Sequence, residues 1–371
     1  MKQRFQVARW REARPVPSFS ALFSIASLVA IVSCSSSPGA VPAVAGAGLE
    51  TPLTVRERVR IEEFNDLPPG NGYVSYVPYG ITLGPDGALW VTDDIDSDAG
   101  ESAVVRLSPS GRRTKTYHYS GPVGGGSSLG DITAGPDGAL WLTDSYNLQI
   151  LRLTVQGTYT GFPLADYGSP TRIVTGPDRA LWFTEFVRSG ADIVRMTTAG
   201  ATTSYPVGGE PIDIAAGPDG ALWFTDFEGA IGRITTSGAI TDYSAGLSPG
   251  AEPYSIAPGP DGALWFTEFG GGRIGRITTA GKITEYSHGI TAPEMPQDLV
   301  AGPDGAMWFT EYDRQYGVTN SKIGRITMHG KITAYSKINP RSAPFTIAKG
   351  TKGDLWFVET STNDVGRLKV R

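Results

Sequence analysis

Seven of the eight tryptophans in this 371-residue chain are followed, three positions on, by an acid: Asp93, Asp144, Glu185, Asp226, Glu268, Glu311 and Glu359. Carboxylates repeated at one place can ligate a hard cation, or each can accept hydrogen bonds from its own following loop. A metal is favoured where a second carboxylate joins. Glu252, in Ala251-Glu-Pro-Tyr-Ser255, enters the repeat that ends at Glu268, and Glu210 precedes Asp213 and Asp226. These are candidate metal pairs. Asp94-x-Asp96-x-Asp98 alternates like a calcium loop, but Ala99 stands where such loops need glycine and no glutamate closes it, so it reads as a solvated acidic loop.

There are three histidines. His288 falls among the long loops with Glu294 nearby, which makes it a candidate general base; His118 falls in a strand and His329 in a turn at the other end of its repeat. No Ser-His-Asp order, zinc ligand set or phosphate loop is present in the sequence. Tyr79, Tyr254, Phe345, Phe186, Phe227, Phe269 and Tyr312 recur at equivalent loop-side places. They would either line an apolar cup for a cyclic or aromatic ligand or seal the end of the core.

What must position these groups is a repeat. Trp90, Trp141, Trp182, Trp223, Trp265, Trp308 and Trp356 recur every 41–51 residues in a phrase whose clearest copies are GPDGALWFTD at Gly217–Asp226 and GPDGALWFTE at Gly259–Glu268. One supersecondary unit is therefore copied seven times. In the copy Pro211 to Ser244, Ile212–Ala216 reads as a strand and Gly217-Pro-Asp-Gly220 as a tight turn. Leu222–Asp226, Ile231–Thr235 and Ala239–Tyr243 read as three further strands. Four short antiparallel strands per unit predict an all-β fold, a seven-bladed β-propeller spanning residues 55–371. The last unit stops before its fourth strand, and Val59-Arg-Ile-Glu-Glu-Phe64 matches the fourth-strand phrase Lys282-Ile-Thr-Glu-Tyr286. The N-terminal strand is thus expected to complete the last blade and lock the ring. Features common to all blades read as fold: the tryptophans as packing, and Arg106, Arg152, Arg195, Arg233, Arg276, Arg325 and Arg367 as partners of the turn aspartates. The long insertions, Asp94–Ser102, Tyr119–Gly130, His288–Gln297 and Tyr312–Ser321, all fall on one face, where binding is expected.

Residues 1–34 open with Lys2, Arg4, Arg9, Arg11 and Arg14, continue as an apolar run and end Ile31-Val32-Ser33-Cys34. That is an export signal with a lipobox-like end, and a Ser/Pro/Ala/Gly-rich tether follows at 35–54. The expectation is an exported protein, lipid-anchored to a bacterial envelope through Cys34 or plainly cleaved and secreted. Cys34 is the single cysteine, so no intramolecular disulfide forms. The net charge of −5 becomes more acidic once the basic leader is removed, which argues against nucleic acid and anionic lipid as partners. Membrane association is expected only through the anchor, the oligomeric state is expected to be monomeric, and the ligand is expected to be a small molecule or cyclic peptide on the long-loop face.

The unit Pro-x-x-Ile…GPDGALWFTE…IGRIT…GKITEY closely resembles the virginiamycin B lyase (streptogramin B lyase) family over about residues 59–371. The resemblance implies Mg2+-assisted elimination that opens the ester of cyclic depsipeptide antibiotics, a resistance activity. Such chemistry needs a base at the α-carbon and a metal to polarise the carbonyl. It implies catalytic roles for Tyr79, in Pro-Tyr-Gly-Ile, and for Glu359, which would also hold Mg2+. The family's last blade begins Glu-Pro-His-Gly; here that stretch is Ala343-Pro344-Phe345-Thr346, and the preceding blade's Pro-His is Pro296-Gln297. The nearest echo is Glu252-Pro253-Tyr254. Three readings follow: a diverged lyase using His288 or Tyr254 as base with Glu252, Glu268 or Glu359 at the metal; a non-catalytic envelope propeller that binds a peptide, cell-wall or glycan ligand; and a lactonase-type hydrolase.

Overall fold

Each GPDG turn reverses the chain tightly because its chemistry suits the reversal. In the fourth blade the Gly217 N–H donates to the Ala221 carbonyl at 2.7 Å, and Gly220 adopts φ 75°. Gly217 has a second duty: a Cβ there would stand 2.4 Å from Trp223 Cδ1. In the third blade Arg179 replaces the closing glycine and is held at φ 59°.

The computed structural model describes residues 59–65, 67, 75–96, 101–122, 126–290, 294–313 and 320–370. The leader, Cys34 and the tether lie outside them, as do Asp98 and the side chains of Asp94, Asp96 and Glu294. The described residues form seven four-stranded antiparallel sheets. In blade order, the inner strands are Ser75–Leu83, Leu129–Ala134, Ser169–Thr175, Pro211–Ala216, Pro253–Pro258, Glu294–Ala301 and Pro344–Lys349. Each inner strand touches its neighbours' inner strands, and the seventh touches the first, so the sheets close a ring about one axis. This is the expected seven-bladed β-propeller. The seventh sheet takes its outer strand, Arg60–Phe64, from the N-terminus, paired antiparallel to Asp364–Lys369 with Arg60 opposite Lys369.

The seven tryptophans are sealed between blades, none more than 1% exposed. Six stack on an aromatic of their own outer strand, as Trp223 does on Tyr243 at 5.6 Å, and Trp356 stacks on Phe64 of the closing strand at 5.4 Å. In six blades the turn aspartate accepts from the indole Nε1 at 2.9–3.1 Å and pairs with the third-strand arginine at 2.6–2.7 Å. Burial pushes these carboxyls up, but the indole and guanidinium hydrogen bonds outweigh it and hold them below the usual range. Blade seven has no aspartate at that turn position; Arg367 bonds to Glu62 of the closing strand at 3.1 Å instead.

Neighbouring blades are joined by a threonine stitch. Thr92, Thr143, Thr184, Thr225, Thr267 and Thr310 each accept an N–H from the inner strand of their own blade. Each then donates to an inner-strand carbonyl of the next blade, at 2.6–3.4 Å. The seventh copy of this position is Val358, which has no hydroxyl to offer. There Thr346, from the inner strand, donates to the Tyr79 carbonyl at 2.5 Å and makes the closing join.

Candidate functional site

Every inner strand slips register against its partner at the same place, between Pro78 and Ile81 in blade one and at the six equivalent points. Such bulges re-aim side chains, and here two residues per blade are freed at the end of the axis nearest the long loops. They are Tyr79-Gly80, Gly130-Asp131, Thr171-Arg172, Ile212-Asp213, Tyr254-Ser255, Gln297-Asp298 and Phe345-Thr346.

Arg172 occupies the centre. It is 6% exposed, and its guanidinium carbon lies 5.3 Å from the Tyr79 ring and 5.8 Å from the Phe345 ring. Its Nη1 lies 3.9 Å from Asp131 Oδ1, an ion pair beyond hydrogen-bond reach. Tyr79 and Phe345 pack at 5.0 Å; Tyr254 meets Phe269 at 5.5 Å, and Phe269 meets Phe227 at 6.3 Å. The mouth is therefore an aromatic wall around one recessed cation.

Three aspartates sit in the same ring and tie blades together. Asp131 accepts from the Ile173 N–H, Asp213 from Ile256 and Asp298 from Ile347, each at 2.8–2.9 Å. Ser255 Oγ lies 2.9 Å from Asp213 Oδ2 and 2.6 Å from Asp298 Oδ1. One hydroxyl proton cannot serve two carboxylates, so this bridge is satisfied when one carboxyl keeps its proton. Consistent with that, burial pushes Asp298 up to about 6, with Arg172 opposing and Asp213 reinforcing the rise. Burial likewise raises Asp131 to about 6 against the pull of Arg172. Despite its own burial, Arg172 is held well above its ordinary value by Tyr79, the aspartates and Tyr254.

Of the residues singled out from sequence, Tyr79 and Tyr254 meet at this mouth. Burial pushes the Tyr79 phenol up to about 12 and drives Tyr254 higher still, so both stay protonated near neutrality and donate rather than abstract protons. His288 does not join them; it is exposed in the turn after the outer strand Ile283–Tyr286 of blade five. Gln297 is buried and donates its amide to the Met295 carbonyl at 3.2 Å. Glu268 faces Arg273 at 3.4 Å, while Glu252 lies against Gly270.

The seven acids after the tryptophans do not form an axial ring. Second-strand side chains point to the faces of each sheet, and there Asp144 and Asp226 clasp the linker entering their blade and the loop leaving the second strand. Asp144 accepts from the Ser128 and Asn147 N–H groups, and Asp226 from those of Glu210 and Glu228. Glu359 shares a sheet face with Phe357, which packs with blade six, whereas Val358 and Phe345 belong to the cluster shared with blade one. The carboxylate and the aromatic mouth are on opposite faces of that sheet. Burial, with Glu63 and Asp364 adding to it and the Ser342 hydroxyl opposing, raises the Glu359 pKa. A buried carboxylate invites a cation, yet Ala343 supplies no second ligand, and among the described residues no three His, Cys, Asp or Glu side chains converge on one point. The residues present do not fit a Mg2+ centre, and no step is derived through one.

A profile of the virginiamycin B lyase family matches residues 72–315 and 187–371. The chain belongs to that family. It is 32% identical to a solved streptogramin B lyase, covering 84% of this chain and 98% of the other with a TM-score of 0.69. Virginiamycin B lyase from Staphylococcus aureus gives 32% identity, 85% and 100% coverage and a TM-score of 0.71. The same figures hold for a catalytically inactive histidine-to-alanine variant of that enzyme, solved with quinupristin. No functionally curated protein matches the chain. The propeller shape alone extends further, to a WD40 propeller at 10% identity.

Sequence reasoning passed over Arg172, Asp131 and Asp298. The signal available was positional: inside a phrase that otherwise repeats, the two residues after the leading proline, which is Leu129 in blade two, form a different pair in each blade.

Proposed function

We propose that this member of the virginiamycin B lyase family binds a cyclic depsipeptide, or a ligand of like chemistry, at the axial mouth without opening it. The observation that carries this reading is the composition of the mouth. Tyr79, Tyr254, Phe345 and Phe269 offer ring faces, and Arg172 offers guanidinium donors beneath two of them. A ligand with aromatic side chains and many carbonyls suits such a surface, since rings stack and carbonyls accept from arginine. Phenylalanine cannot take a proton, and both phenols hold theirs at neutral pH. Export, with a lipid anchor at Cys34, belongs to the same proposal and rests on the layout of residues 1–34.

One observation favours a second reading. Asp131, raised to about 6, stands beside Arg172. A carboxylate of that strength is a competent base near neutrality, and a guanidinium can stabilise an enolate. Elimination could then proceed from different residues than the family's histidines.

Titrating the protein with quinupristin, with and without Mg2+, tests both. The expected result is saturable binding indifferent to Mg2+, weakened roughly tenfold or more by Arg172→Met, with the ligand recovered intact. Elimination within a ring yields an isomer, so recovery is read by chromatographic retention and fragmentation rather than mass. A linear product that disappears in Asp131→Asn would replace binding by the second reading. No saturable binding would remove both.

A further inference from the structure

The acid after each tryptophan faces one residue across the second and third strands, and that partner differs by blade. In blade five Glu268 faces Arg273, whose Nη1 lies 3.4 Å away. In blade two Asp144 faces Gln149, whose amide donates to it at 2.8 Å. In blade three Glu185 faces Asp192, a second acid. Blade six likewise sets Lys322 opposite Glu311, blades one and four set an alanine opposite their acid, and blade seven, like blade three, sets a second acid there; blade three thus gives its buried carboxylate no donor from the facing strand.

Glu185 is 4% exposed and its Oε2 has no hydrogen-bond partner. Leaving such an oxygen unpaired is costly, and burial, with Asp192 and Asp166 adding to it, raises Glu185 to about 7. Gly168 makes the site possible, because a Cβ there would stand 2.2 Å from that oxygen. Above Glu185 is a cavity of about 380 Å3 whose walls include Leu164, Asp166, Tyr167, Arg188 and Asp192. Tyr167 is 63% exposed, one of two large hydrophobic side chains so displayed among the described residues. Asp166 and Tyr167 hold φ 54° and 59° in succession, which sets the tyrosine on the rim.

We propose that this cavity binds a small organic cation, an alkylguanidinium or alkylammonium, between the Glu185 and Asp192 carboxylates at its base and the Tyr167 ring at its rim. Arg188 already demonstrates the rim chemistry: its guanidinium carbon stacks 3.9 Å from the Tyr167 ring centre. It makes no ion pair with Glu185 or Asp192, so the base of the cavity is left to a ligand. A hard metal fits less well. The ring face offers it nothing, and among the described residues no three metal-binding side chains converge. A cation lodged here would take the place that Arg273 fills in blade five. The site lies on a blade face away from the axial mouth, so it stands or falls independently of the proposed function.

Calorimetric titration of the protein with agmatine, which carries both cationic groups, tests this. Saturable one-site binding is expected, with proton release at pH 7 as Glu185 ionises. Glu185→Gln and Asp192→Asn should each weaken it about tenfold or more, the loss of one charge-assisted hydrogen bond. Tyr167→Ala, on the exposed rim where folding is not at stake, should weaken it a few-fold. Arg188→Ala should tighten it by freeing the ring, and Glu268→Gln in blade five should change nothing. Absence of saturable binding would overturn the proposal. So would binding indifferent to Tyr167→Ala and Glu185→Gln, or displacement of agmatine by equimolar Mg2+.

Discussion

Exchanging the stitch at the ring closure offers a quantitative test of how the propeller is joined. Thr346→Val removes the hydroxyl that donates to the Tyr79 carbonyl at 2.5 Å and keeps the side-chain shape. The loss should be about 1–2 kcal/mol, the net value of a buried hydrogen bond with part of its desolvation cost. Val358→Thr alone places a second hydroxyl in a fully buried position, where the acceptor used in the other six blades is already taken. It should cost roughly 1 kcal/mol. Combining the two rebuilds the arrangement of the other blades, in which one threonine accepts from its own inner strand and donates to the next blade. The double variant should therefore be more stable than the summed single losses predict, by about 1 kcal/mol or more. Urea unfolding followed by tryptophan fluorescence measures the coupling, because all seven blade tryptophans change environment on unfolding. Simple additivity would refute the claim that the two hydroxyls serve one acceptor.

Replacing Arg179 by glycine should stabilise the third blade by roughly 0.5–1 kcal/mol, since a non-glycine side chain is held at φ 59° where other blades use glycine; an unchanged or lower urea midpoint would refute this. Stability should also fall as pH rises from about 5 to 8. Asp131 and Asp298 at about 6, Glu185 at about 7 and Glu268 at about 8 all lie above their unfolded values, so the stability they confer is complete below pH 4 and lost as pH climbs through those values. The turn aspartates act oppositely, holding stability above their ordinary value and losing it below, so the optimum lies near pH 4–5. Thermal melts across this range, flattened between pH 5 and 7 by Glu185→Gln, check the sign; a melting temperature that climbs from pH 5 to 8 would contradict it.

The blades were legible because their causes are local. A tight turn, a tryptophan two residues into a strand and an arginine across the sheet are set within about 20 residues, and the copies confirm one another. Val59–Phe64 could be assigned to the far end of the chain because it repeats the outer-strand phrase, down to the aromatic that stacks on Trp356. The mouth was only half legible. Tyr79 and Tyr254 stood out as aromatics, whereas Arg172 and its aspartates sit one per repeat and gain meaning only once seven strands converge. The acids after the tryptophans read from sequence either as cation ligands or as acceptors from their own following loops, and Asp144 and Asp226 do the latter. Whether such a side chain points to the axis or between blades depends on strand orientation in the ring, which spacing does not encode. His288 shows the same gap, since loop length gives the face but not the distance from the axis.

The closing strand makes the order of synthesis matter. Glu62 and Arg367, which bond across the last blade, are 305 residues apart in sequence. The earliest-made strand of the ring is thus among the last of its strands to find its place, and loop closure over that span must be met before its contacts return anything. A chain that ends a few dozen residues early keeps an open sheet edge at each side of the gap, a surface prone to pairing with other chains. The ring closes only once its last blade has been made, which exposes any product truncated within that blade to proteolysis while leaving the finished ring without a free seam.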